Sequence, residues 1–345
     1  MPTMKDVAIA AGVSRQLVSL VMRGAPGPSQ ASRELILAAA DELGFLANTS
    51  ARLLRQGRTN LMGLLYSASN TFEASVVECL LESAPRHGFD VMLAPTTKQR
   101  STEVALSQLL GHRIEALACF NPDPASTALD RALDMMPVVW LGERSRERRA
   151  DVIRPDDEAG LLLLVGHLAG MGHVRIAYVG GLGGNAGPDR EKMYRSAMEA
   201  HGLARHIDVI RVGFDEYDGA KAANSLLLRD TLPSAVVACS DQCAQGVLAV
   251  FRNAGVDVPG EVSVTGYDDT PVASLPYNEL TTVGHDVRAT AEATLVAIQQ
   301  RIVDPGAAPT ELATEARLIV RRTTGPARQG NPRRSGKDRI RPEAS

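Results

Sequence analysis

From Leu61 onward, short apolar runs alternate with helix-length stretches, and that alternation admits few folds. The runs are Leu61–Tyr66, Val91–Ala94, Ala116–Phe120 and Val138–Leu141, with helices expected up to about His87 and His112. After a helix predicted from Asp156 to Met171, the series resumes at Ile176–Val179, Val209–Ile210, Ala235–Ala238 and Val262–Thr265. Strands that are apolar throughout are buried on both faces, so they predict parallel sheets covered by helices. Two such series predict two similar lobes, with a ligand held between them at the C-terminal ends of the strands.

The first sixty residues follow a different pattern. Thr3-Met4-Lys5-Asp6 has the spacing of a capping box, and Val7, Ala8 and Ala11 share one helical face behind it. Gly12 breaks that helix, and Ser14 is placed to cap a second one running from Arg15 to Met22. A third helix is expected after Pro28-Ser29, through Leu35, Ile36, Ala39 and Leu43, ending at Gly44. Two short helices joined by a glycine turn are the signature of a helix-turn-helix. The first turn of the second helix then enters the major groove, where Arg15 and Gln16 reach base edges. The same residue types also suit a solvated helix surface.

Composition narrows the alternatives. The chain of 345 residues, 44% hydrophobic and 22% charged, is long enough for two or three domains with real cores. No run approaches the roughly 18 apolar residues of a membrane span, and the start MPTMKDVA lacks an apolar signal core, so a cytoplasmic protein is expected. Cys79, Cys119, Cys239 and Cys243 sit among apolar neighbours without metal-ligand spacing, so buried thiols are expected and no metal site. Residues 1–60 hold seven Lys/Arg against four Asp/Glu and residues 326–345 hold six against two, leaving −10 between them. A basic head on an acidic body suits a polyanion partner for the head alone.

The stretch TMKDVAIAAGVSRQLVS, followed by ASRELILAAADELGF and NTSARLLRQGRTN, resembles the head of the LacI/GalR family of bacterial repressors. The resemblance continues through GHVRIAYVGG, SDQCAQGVLAVFRNAGVDVPGEVSVTGYDDTPVA, LTTV and ARLIVRRTTG, about 320 residues in all. It implies a small all-α helix-turn-helix head plus an α/β two-lobed body like that of periplasmic binding proteins. The implied divisions are 1–47 for the head, 48–60 for a hinge helix, 61–325 for the body and 326–345 for a disordered basic tail. The chain is expected to cross between lobes near 150–156, 280–287 and 312–318.

By the same resemblance, Thr3, Ser14, Arg15, Gln16 and Ser19 face DNA, and Asn48, Arg52 and Leu54 belong to the hinge. Leu54 matches a leucine that wedges into the minor groove at the centre of a palindromic operator, between two subunits of a homodimer. Ordinary helix packing is the alternative for it. Effector contacts fall to Ser67, Phe72, Arg190, Phe214, Ser240 and Asp268. A polyol needs charged donors and acceptors for orientation and an aromatic plate for its C–H face, and these types supply both. Each also has a structural use: Arg190 can pair with a carboxylate, Phe214 can be core, and Asp241 and Asp269 can cap helices. Departures from the family pattern stand at Leu20, Ala47, Gly142, Met193 and 70–73 (Asn-Thr-Phe-Glu).

Enzyme readings fare poorly. Gly180 to Gly187 is glycine-rich and follows a strand, yet no acidic residue ends the next strand as a dinucleotide site requires. A nucleophile elbow, an HExxH motif and a P-loop are all missing, and the histidines sit at helix ends without mutual spacing. His173 is expected to serve packing. The expected partners are operator DNA, a small-molecule effector and a second copy of the chain, with no cofactor and no membrane.

Overall fold

A computed structural model describes residues 2–22, 25–45, 59–145 and 147–328. The chain divides into two compact units, Met1–Asn60 and Leu61–Ser345.

The first unit contains α1 (Met4–Ala10), α2 (Arg15–Met22) and α3 (Gln30–Glu42). The capping box at α1 is formed: Asp6 Oδ2 accepts the Thr3 N–H at 2.7 Å, and Thr3 Oγ1 accepts the Asp6 N–H at 3.4 Å. Ser14 Oγ accepts the Leu17 N–H at 3.1 Å to cap α2, and Ser29 Oγ accepts the Ser32 N–H at 3.2 Å to cap α3. Gly12, at φ 62°, makes the turn between the first two helices. Val7, Ala8, Ala11, Val18, Val21, Ile36, Ala39 and Ala40 form the core, and its small side chains let the helices approach closely. Of the residues named for α3 from the sequence, Leu35 is 53% exposed. The i, i+3, i+4 face of α3 is set by Ile36, Ala39 and Ala40 instead.

The second unit begins with β1 (Leu61–Ser67), α4 (Thr71–Ser83), β2 (Asp90–Thr96), α5 (Thr102–Gly111), β3 (Ala116–Phe120), α6 (Thr127–Met135), β4 (Val138–Leu141) and β5 (Asp151–Pro155). It continues with α7 (Asp157–Gly170), β6 (Ile176–Gly181), α8 (Ala186–Ala200), β7 (Asp208–Val212), α9 (Glu216–Leu227), β8 (Ala235–Ala238), α10 (Asp241–Asn253) and β9 (Ser263–Thr265). Then come β10 (Thr282–His285), α11 (Val287–Val303), β11 (Glu311–Thr314) and β12 (Ala316–Ile319). One parallel sheet has the order β11-β5-β4-β3-β1-β2, the other β7-β6-β8-β9, while β10 and β12 pair antiparallel.

In the first sheet, successive residues feed opposite cores. Leu64, Ala118, Val139 and Ile153 face one side, whereas Leu65, Leu117, Val138 and Val152 face the other. That two-sided burial is why these strands are apolar throughout. The second lobe has a single large core built around Tyr178, Tyr194, Val236 and Phe251. The chain passes between lobes at 155–157, 285–287 and 314–316; the last two lie inside the expected windows, and the first runs one residue past its window of 150–156.

Four strands, β5, β10, β11 and β12, lie outside the sequence expectation. Their segments are short and carry Asp151, Arg154, Thr282, Glu311 and Arg317, so no apolar run marks them. Backbone pairing and local ties make them strands: buried Asp151 accepts the Thr310 N–H at 2.8 Å and pairs with Arg301 at 2.9 Å. Residues 326–328, expected in the tail, stay on the body, with the Ala327 N–H donated to Met171 O at 2.9 Å. The remainder of that tail, 329–345, lies outside the described residues. Among the described residues no helix is long and apolar enough to cross a membrane.

Helices α9 and α10 cross with backbone nearly touching backbone. A Cβ added at Gly246 would lie 1.9 Å from Glu216 O, and one at Gly219 would lie 1.9 Å from Cys243 O. Gly246→Ala is therefore expected to destabilise the second unit by about 3 kcal/mol, an overpacking cost. Urea unfolding checks this, and an unchanged midpoint would show that the helices can separate freely.

Candidate functional site

In the first unit, α2 buries Val18 and Val21 and turns Arg15 and Gln16 outward. Thr3 and Ser14 are also exposed, and Ser19 is half-buried. The Thr3 and Ser14 hydroxyls serve as the caps of α1 and α2, accepting the N–H groups of Asp6 and Leu17. Asn48, Arg52 and Leu54 lie outside the described residues.

In the second unit a cavity of about 300 Å³ opens between the lobes. It sits where strand order reverses in both sheets, at the carboxyl ends of β1 and β3 and of β6 and β8. The first lobe supplies Ser67, Phe72, Glu73, Thr96 and Asn121, among others. The second supplies Gly183, Gly184, Arg190, Phe214, Asp215, Asp218, Gln242 and Asp268. Gly183, at φ 100°, lets the loop after β6 close on the Phe214 ring, which a Cβ there would meet at 3.2 Å.

Arg190, on α8, is the cation of this lining. Its Nε donates to Asp157 at 3.0 Å, Nη1 to Cys239 O at 2.7 Å and Nη2 to Asp268 at 3.1 Å. The guanidinium lies 4.1 Å from the centroid of the Tyr267 ring and 5.8 Å from that of Phe214. Burial opposes its charge, but Asp157 and Asp268 outweigh burial and hold the guanidinium well above its usual range. Asp268 sits at φ 105°, a conformation rarely adopted by a residue with a Cβ, and its N–H is donated to Val283 O at 2.7 Å. Such strain persists where the surroundings over-determine it, as at ligand clamps.

Glu73 lies in the first turn of α4, placed there by Asn70, whose Oδ1 accepts the N–H groups of Phe72 and Glu73 at 3.0 and 3.1 Å. Glu73 accepts the Ser67 N–H at 2.6 Å and an Asn121 amide N–H at 3.2 Å. Burial pushes its carboxyl up to about 7, with nearby Glu143 adding to the rise. Burial likewise pushes Asp268 up to about 7, against the opposing charge of Arg190. His285, on β10, packs against Phe72 and Tyr267, and burial lowers it to about 3, with Arg190 adding to the fall, so the imidazole is neutral.

Two contacts bridge the lobes beside the cavity. Glu143 accepts the backbone N–H groups of Asn185 and Ala186 at 2.8 and 3.1 Å, closing the N-terminus of α8 with a carboxylate from the other lobe. Gln242 donates to Ser69 O at 3.2 Å and accepts the Thr71 N–H at 3.3 Å.

Five of the six residues expected at the effector line this cavity: Ser67, Phe72, Arg190, Phe214 and Asp268. Ser240 does not. Its hydroxyl donates to Phe214 O at 2.7 Å and accepts the Cys243 N–H at 3.0 Å, capping α10 behind the wall. Asp241 is also internal, held by Thr270 and Thr282, while Asp269 pairs with Arg321. Met193 belongs to the second-lobe core. His173 is buried and bonds Gly325 O at 2.9 Å, as a packing role requires. Sequence reasoning missed Asn121 and Gln242, which line the cavity, and Asp157 and Glu143, which hold Arg190 and the start of α8, because only the packed lobes bring them together. Glu73 was visible as a carboxylate in an otherwise apolar helix start.

A helix-turn-helix unit joined to a two-lobed body with a polar cavity between the lobes defines a DNA-binding regulator that responds to a small molecule. Residues 3–48 match the family described as bacterial regulatory proteins, lacI family, and residues 165–324 match the periplasmic binding protein-like domain. The chain is 31% identical to the HTH-type transcriptional regulator MalR of Streptomyces coelicolor, over 95% of this chain and 98% of that protein. Among solved structures, a lac repressor dimer bound to operator and the anti-inducer ONPF is 25% identical, covering 94% of this chain and 99% of that one, with a TM-score of 0.79. A complex of the regulator CelR with cellobiose is 28% identical, covering 94% and 100%, with a TM-score of 0.69. The chain belongs to the LacI family of bacterial regulatory proteins. It is a DNA-binding transcriptional regulator controlled by a small-molecule effector.

Two outcomes follow from the electrostatics. Arg190→Ala leaves Asp157 and Asp268 buried without a counter-charge and is expected to cost about 3–5 kcal/mol in urea unfolding. A loss below about 1 kcal/mol would mean that water replaces the guanidinium at no penalty. The second outcome concerns pH. Glu73 and Asp268 hold protons more tightly folded than unfolded, from ordinary values of 4.5 and 3.8 to about 7. The folded state therefore binds more protons between about pH 4 and 7, and the associated stability, full below that window, is lost as pH rises through 7. Glu73 and Asp268 should lower the unfolding free energy from pH 5 to pH 8, against the opposite contribution of His285, and Glu73→Gln should remove up to about 3 kcal/mol of that fall. An identical pH slope in the variant would place the Glu73 proton elsewhere.

Proposed function

We propose that this regulator is a repressor that binds a palindromic operator as a homodimer and is controlled by a sugar or a related polyol or nucleoside held between its lobes. The observation that carries the reading is the cavity itself. Carboxylates, Arg190 and amides line it beside Phe72 and Phe214, the mixture that hydroxyl groups and a C–H face require. The CelR–cellobiose complex, a relative with a sugar bound, supports the ligand class, and the operator-bound lac repressor dimer supports the assembly.

In this reading Arg15 and Gln16 read base edges in the major groove, with Thr3, Ser14 and Ser19 around them on phosphate or base. Asn48, Arg52 and Leu54 act at the centre of the operator, Leu54 as the wedge between base pairs. Arg190 and Asp268 orient the effector, Phe214 and Phe72 pack on it, and Ser67 bonds it from the first lobe. Because Glu143 and Gln242 join the lobes at the cavity's edges, a ligand there biases the angle between them. Its influence on the operator is limited to its differential affinity for the two arrangements.

Selection of genomic fragments by the purified full chain, followed by footprinting with and without a panel of sugars, tests this. The expected result is a palindromic site whose occupancy one sugar changes. Gln16→Ala should weaken that site by about 1–3 kcal/mol and relax preference at one base pair. Leu54→Ala should reduce specific affinity while non-specific binding stays level. Enrichment of a single half-site would refute the dimer, and an occupancy blind to every sugar would refute the effector class.

A further inference from the structure

Once ionised, Glu73 carries a charge that no described residue balances. Its partners, the Ser67 N–H and the Asn121 amide, are both neutral, and among the described residues no ion pair reaches it. A carboxylate offers about four acceptor directions, of which these bonds use two. For the fold alone an uncharged Gln would accept the Ser67 N–H equally well, without the desolvation cost of a buried anion. Yet Glu73 is 2% exposed and lines the cavity.

Across the cavity stands Asp218, also without an ion pair among the described residues. Arg190 does not balance these two, because it is already shared between Asp157 and Asp268. The helix N-termini at the cavity, ordinarily an attraction for anions, are each occupied. Asn70 caps α4, Asp215 caps α9, Ser240 caps α10, and Glu143 holds the start of α8. An anionic ligand would meet two unpaired carboxylates, a neutralised guanidinium and no open helix end.

We infer that Glu73 is a specificity-determining residue that takes a hydrogen-bond donor from the effector, and that with Asp218 it sorts ligands by charge. Amino-substituted and neutral polyols are accepted, whereas phosphorylated and carboxylated ones are rejected. This rests on the polyol reading above and names the chemistry within it.

The test uses the full chain and a matched panel of neutral hexoses and pentoses with their amino-deoxy, phosphorylated and uronate counterparts. Binding is read at pH 8, where Glu73 is ionised, by thermal shift and then by calorimetry. Each anionic member should bind at least about tenfold more weakly than its neutral parent, and the amino member at least as tightly as the parent. Glu73→Gln should shrink the neutral-to-anionic gap several-fold. Asp218→Asn, at a half-exposed position, should do the same from the opposite wall without burdening the fold. A phosphorylated or uronate sugar binding as tightly as its parent, or a gap unchanged in both variants, would overturn the inference while leaving the polyol reading standing. Failure of every panel member to bind would overturn both.

Discussion

Arg190 gathers three separated parts of the second lobe onto one guanidinium. Asp157 begins α7 just after the chain crosses from the first lobe, Cys239 ends the strand run of β8, and Asp268 follows β9 in a strained conformation. The Tyr267 ring lies beside Arg190, its centroid 4.1 Å from the guanidinium carbon. A buried ion pair of this kind adds little net stability compared with a well-packed apolar core, since desolvation cancels much of the attraction. What it does supply is position. The charge on Arg190 can be satisfied only when all these segments are in register, so the shape of the cavity wall is fixed by the same contacts that hold its chemistry.

The first lobe meets that wall through much weaker links. Glu143 and Gln242 make hydrogen bonds across the cleft, and the three chain crossings connect the lobes covalently. Hydrogen bonds of this sort contribute of order 1 kcal/mol each, more where the acceptor is charged. Their sum is comparable to the few kcal/mol that separate two lobe angles in a population shift. His285 sits on the crossing strand β10 as a neutral ring between Phe72 and Tyr267, so apolar contact rather than charge joins the lobes behind the cavity. The body therefore combines one wall tied together by a buried ion-pair network with one wall joined to it by fewer hydrogen bonds.

How much of this was legible beforehand follows from which forces wrote each feature. Strands buried on both faces announce themselves as apolar runs, and Ala116–Phe120, Val138–Leu141 and Ala235–Ala238 begin and end where those runs do. The caps Thr3, Ser14 and Ser29 are local chemistry and equally visible. Strands β5 and β11 are held by pairing with each other, which leaves no mark in either segment alone. In the cavity, Arg190 and Asp268 were readable by resemblance, but their third partner Asp157 was not, because it stands 33 residues from Arg190 in the chain. Ser240 illustrates the opposite error. A serine at the end of a strand and the start of a helix fits a ligand contact and a helix cap equally, and only the Cys243 N–H distance separates the two.

On the proposed reading, the arrangement of carboxylates lets the cavity act as a sensor and not merely as a pocket. Glu73 and Asp268 both hold their protons up to about 7, so the protein alone pays for keeping acceptors away from water. A ligand that donates hydrogen bonds to them removes that cost only when both walls are in place, since Glu73 belongs to the first lobe and Asp268 to the second. The stabilisation it brings is therefore specific to one lobe arrangement, which is the condition for shifting an equilibrium. An apolar cavity of equal size would bind through either wall separately and couple the lobes far less.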